Sequence, residues 1–123
     1  MKLHYFHGRS PLRSLVLTLD HRRVELHVKK VDSDVWSLVA MIGSEQGHPD
    51  TSRCQGPYRS QEKAEAALRS ATGSLLEKGY EPRRDMTPQW SVCAQRMARD
   101  IREQGKANSG QYVFDSGLFE PSS

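Results

Sequence analysis

The chain has 123 residues, 36% apolar and 27% charged, with a formal charge of +3. That suits one domain with a modest core, and it is too apolar for a disordered polymer. No run reaches the roughly 18 apolar residues of a membrane span, and the first ten residues, MKLHYFHGRS, lack the apolar stretch of a secretory signal. The expectation is a cytoplasmic protein without membrane contact, whose two separated cysteines, Cys54 and Cys93, act as small apolar residues.

The chain opens with a basic segment. Residues 1–30 carry Lys2, Arg9, Arg13, Arg22, Arg23, Lys29 and Lys30 against only Asp20 and Glu25, while residues 60–123 hold nine basic and nine acidic side chains. Such an end attracts phosphates or acidic protein surfaces, or else is a solvated face rich in arginine. Strands come first. Leu15, Leu17 and Leu19 alternate with Val16 and Thr18, and Val24, Leu26 and Val28 alternate with Glu25, His27 and Lys29, the period of two expected of half-buried strands. Asp20-His21-Arg22 suits the hairpin between them, and Asp32-Ser33-Asp34 the next turn. Residues 35–42 are apolar except Ser37, as a central strand covered on both faces would be. Residues 3–7 are a further candidate strand. The Gly-, Ser- and Pro-containing stretch 43–56 is predicted to be a mobile loop.

Helices follow. Ser60 caps a predicted helix over 61–78, with Ala64, Ala67, Leu68, Ala71 and Leu75 as its stripe and Gly79 as its stop. Its interior Gly73 implies close packing on the sheet or a weak last turn. Thr87-Pro88 opens a second predicted helix, 88–104, with Trp90, Cys93, Ala94, Met97 and Ile101 facing inward and Gly105 ending it. On its outer face Arg96 and Arg99 each have an acid four residues on, Asp100 and Glu103, which fits a solvated face better than a phosphate ridge. The fold class is therefore α+β: an antiparallel meander of three to five strands within 1–59, followed by two helices packing on it. Residues 1–104 form one domain. The tail, 105–123, carries Tyr112, Val113, Phe114, Leu118 and Phe119, which either pack back as an added edge strand or dock on a partner; Tyr112, Phe114 and Phe119 are the candidate partner contacts.

Catalytic patterns are missing from this reading: no GxSxG, no GxxxxGK, no GxGxxG after a strand and no HExxH occurs. On a strand, the spacing of His4 and His7 places their rings on opposite faces, against joint metal ligation, and the histidines read as surface residues. His48 with Cys54 lacks an orienting third group. No catalytic residue, metal or cofactor is expected.

Residues 23–82 resemble a distant WGR-type domain: an alternating strand, Val35-Trp36, a tripeptide, Ile42-Gly43, a turn, then Tyr58-Arg59-Ser60 opening a helix that ends Lys78-Gly79-Tyr80. The resemblance implies a small sheet with a covering helix that contacts DNA ends or partner domains. The family's Trp-Gly-Arg tripeptide is replaced here by Val39-Ala40-Met41. The expected function is a non-enzymatic binding or regulatory module acting on a protein partner. The alternative is nucleic-acid binding, with Arg13, Arg22, Arg23, Lys29 and Lys30 on phosphates.

Overall fold

The computed structural model describes residues 13–107. The strands are β1 (Ser14–Leu19), β2 (Arg22–Asp32), β3 (Val35–Ser44), β4 (Thr51–Tyr58) and β5 (Glu81–Pro82); the helices are α1 (Gln61–Glu77), before β5, and α2 (Ser91–Ala107), after it. All five strands pair antiparallel in the order β4-β3-β2-β1-β5. The fold is α+β, with a helix on each face of the sheet.

The alternation along β2 separates two cores. Val24, Leu26 and Val28 join Leu17, Leu38 and Ala40 under Ala64, Leu68, Ala71 and Leu75 of α1. On the opposite face Val31, Val35, Val39, Met41 and Cys54 meet Ala94, Ala98 and Ile101 of α2 and the Trp90 that precedes it. Residues spaced by three and four along each helix thus seal one face of the sheet. Burying a leucine in such a core is worth roughly 1.5–3 kcal/mol. β3 sits between β2 and β4 with Val35, Leu38, Val39, Ala40 and Met41 all buried, the doubly covered strand its composition implies.

Both turns read from the sequence are present, with Asp20 and Asp34 in the left-handed conformation at φ 54° and 58°. Ser60 caps α1 by accepting from the Lys63 amide at 3.2 Å. At the other end Gly79, at φ +101°, lets the chain reverse, so its amide donates to the Leu76 carbonyl and that of Tyr80 to Leu75.

Four expectations change. Most of the loop expected at 43–56 is strand: β3 continues to Ser44 and β4 begins at Thr51, leaving a turn over 45–50. β4 escaped notice because it is an edge strand with Cys54 as its one fully buried side chain, so it lacks an apolar alternation. The sheet also recruits β5, from beyond residue 59. α2 begins at Ser91 rather than Pro88 and runs through Gly105, whose position is buried, to Ala107. Finally, the polar side of β2 is not solvated: Arg23, Glu25 and His27 are buried beneath α2 and the segment leading into it. The candidate strand 3–7 and the tail residues 108–123 lie outside the described residues.

Candidate functional site

Arg23, Glu25 and His27 project from one side of β2 because they alternate with the apolar residues of the other side. Glu25 is fully buried yet accepts four hydrogen bonds and forms an ion pair with Arg23. Its Oε2 accepts from Arg23 Nε at 2.8 Å and from the Gln89 amide at 2.6 Å, and lies 2.8 Å from Arg23 Nη2 in the ion pair. Its Oε1 takes His27 Nε2 at 2.9 Å and the Trp90 amide at 3.1 Å. Burial pushes the Glu25 carboxyl up, but the bonds from His27, the two amides and Arg23 outweigh it and hold the group below its ordinary value. The N-terminus of α2 is thereby capped from a neighbouring strand, with the anion at the positive end of the helix dipole. Thr87, expected to cap, instead lends its carbonyl to Arg23 Nη2 at 2.9 Å.

The β3–β4 turn closes over this cluster. Gly43 faces Arg23 across the β2–β3 pair, and a side chain there would meet the Asp50 amide and Pro49 Cα at 3.0 Å. With no side chain, the turn can fold back onto the sheet, where the Gly47 carbonyl accepts from Trp90 Nε1 at 2.9 Å. Between this turn and residues 85–89 lies a cleft of about 490 Å³. Arg23 lines it, with Glu45 and Gln46 on one side and Asp85, Met86, Thr87, Pro88 and Gln89 on the other. The guanidinium stacks over Trp90 at 5.7 Å, and its Nη1 meets the Met86 thioether at 3.8 Å. Asp85 is gripped by Arg83 through contacts of 3.1 and 2.9 Å, which hold its carboxyl below the ordinary value. Glu45 lies 3.5 Å from the exposed His21 ring.

The residues expected to touch phosphates are not gathered. Arg13, Lys29 and Lys30 stand at one end of the β1–β2 pair, where the Arg13 carbonyl accepts from the Val28 amide. Lys29 donates to Gln95 at 3.1 Å, and Lys30 lies 5.8 Å over Trp36. Arg22, at the opposite end of β2, pairs with Asp50 at 3.2 Å; eight strand steps, about 26 Å, separate it from Lys30. Arg23 is 2% exposed and its charge is met by Glu25, so it does not belong to an exposed basic surface with the others. Tyr112, Phe114 and Phe119 lie outside the described residues, as do His4 and His7. His21 and His48 are exposed as expected, but His27 is buried, because α2 covers its face. Cys54 is buried in β4 and Cys93 half-buried in α2. The tripeptide Val39-Ala40-Met41 is buried within β3.

Sequence reasoning missed Glu25. The available signal was the second helix itself: an apolar stripe on α2 requires a second sheet face to bury it, and that face carries the polar residues of β2. Among the described residues no group of three or more histidine, cysteine or acidic side chains could hold a metal ion, and no helix is long and apolar enough to cross a membrane.

A family model described as PA4575-like protein matches residues 1–117, and the chain belongs to that family. No curated protein matches the chain, and no solved structure does.

Proposed function

We propose that this member of the PA4575-like protein family is a non-enzymatic binding module for a protein partner, and that the cleft beside Arg23 is its contact site. The supporting observation is how the polar cluster is used. Every acceptor direction of Glu25 is occupied by an internal donor, so this carboxylate serves to hold α2 rather than to take a proton from a substrate. Arg23 nevertheless reaches the cleft, held rigidly by Glu25, Thr87 and Trp90. A fixed donor in a concave, polar-lined site is binding chemistry. The scatter of Arg13, Arg22, Lys29 and Lys30 over two ends of the sheet favours a protein partner over the phosphate-contact alternative.

Photo-cross-linking in cells tests this. With a photoreactive phenylalanine derivative at the exposed Gln46 or Gln89, the expected result is a recurrent adduct with one protein, missing when the same group replaces the exposed Arg69 of α1. Adducts that are the same from all three positions, or none from the cleft, would overturn the reading. Retention on a labelled duplex at low salt that collapses near about 200 mM would replace it with the nucleic-acid alternative.

A further inference from the structure

We infer that the cleft takes an extended peptide segment carrying a basic side chain, with a backbone carbonyl on Arg23 Nη1 and the cation beside Glu45 and Asp85. The inference rests on the cleft being a protein-binding site and specifies what it reads.

A guanidinium carries five N–H donors. In Arg23 the Nε donor goes to Glu25, and Nη2 donates to the Thr87 carbonyl while lying 2.8 Å from Glu25 Oε2 in the ion pair. Nη1, with two donors, has among the described residues only the Met86 sulfur, at 3.8 Å. A thioether is a weak acceptor, so a side chain otherwise strongly bonded and almost wholly buried keeps donor capacity on its cleft side. An oxygen acceptor entering there makes the bond that sulfur makes poorly.

Charge decides which oxygen. Arg23 is already balanced by Glu25, while Glu45 and Asp85 flank the opening, so the lining offers no net attraction to a phosphate or carboxylate. A neutral carbonyl suits the interior and a cation the rim. Glu45 is the stronger reader of that cation, because its partner, the ring of His21, is 92% exposed and 3.5 Å away, whereas Arg83 already holds both oxygens of Asp85. A peptide segment supplies both features, a backbone carbonyl and a lysine or arginine side chain, and the Met86 and Pro88 side chains offer apolar contact to its stem. The Arg23 site is rigid, so little ordering is needed in the protein on binding.

The test uses the full chain and capped pentapeptides of glycine and serine with a central lysine, arginine, norleucine or glutamate, followed by two-dimensional NMR. Lysine and arginine peptides should move the amides of Gln46 and Gln89 and the Arg23 side-chain signals, and should bind at least roughly fivefold more tightly than the norleucine peptide, with no shift from the glutamate peptide. Glu45→Gln should remove most of that preference, and Glu45→Lys should abolish binding of the lysine peptide while leaving the fold's spectrum intact. Equal binding of all four peptides, or shifts confined to other surfaces, would sink the inference. If cross-linking from Gln46 still captures one partner while no basic preference appears, the peptide chemistry is wrong and the protein-binding reading stands; if cross-linking also fails, both fall.

Discussion

At Glu25 the oxygen atoms, not the side-chain volume, carry the structural role. A carboxamide has the same shape but only one accepting atom, so Glu25→Gln points an NH2 group at either Arg23 and the Gln89 amide or His27 and the Trp90 amide. It also leaves the buried Arg23 guanidinium without its counter-charge. Removing one partner of a buried pair costs about 3–5 kcal/mol, and urea unfolding of E25Q should show a loss of at least about 3 kcal/mol with an unchanged slope. Replacing Arg23 and Glu25 together by apolar residues removes the unpaired charge but still strands the amides of Gln89 and Trp90, so the double variant should recover only part of the loss. An exposed pair such as Arg22–Asp50 should matter little by comparison, because both side chains are well solvated.

Among the elements, α1 contains its own test. Gly73 lies in the helix interior, and a methyl group built there meets nothing within 4 Å. Of the two sequence-based explanations, close packing on the sheet is therefore the wrong one. The glycine costs helix stability with no packing in return, and Gly73→Ala should raise the urea midpoint by an amount equal to roughly 0.5–1 kcal/mol. A neutral or destabilising result would mean that this position has a contact the helix geometry does not explain. The helices and β1 to β3 were legible because each repeats its apolar residues at a period of 3.6 or 2. β4 was not, since an edge strand buries one face at most and here a single side chain, Cys54. Nor was the cluster on β2. Alternating polar residues look the same whether they face water or a buried network, and Glu25 meets the amides of residues 64 and 65 positions further along the chain. Only the demand of α2 for a covered face distinguishes the two cases, and that demand concerns packing rather than local pattern.

For the molecule as a whole, the two-sided sheet makes one helix depend on a titratable group. α1 is held by apolar packing and its own caps, whereas α2 is held by its apolar stripe together with a carboxylate that must stay ionised. The folded Glu25 has a depressed pKa, so below the unfolded glutamate value of about 4.3 the unfolded chain binds more protons than the folded one. Its contribution is fully present above that value and is lost as pH falls through the lower, folded value. Asp85 is depressed too, by Arg83, but it is largely exposed, so salt screens its part. Urea unfolding from pH 7 down to about pH 3, in 0.5 M salt, should therefore show wild-type stability falling from near pH 4.3. The gap between wild type and E25Q should narrow over that same interval, because acid converts the wild-type side chain to the neutral form that the variant has at every pH. A gap that stays constant down to pH 3 would mean that the Glu25 charge does not hold α2 to the sheet.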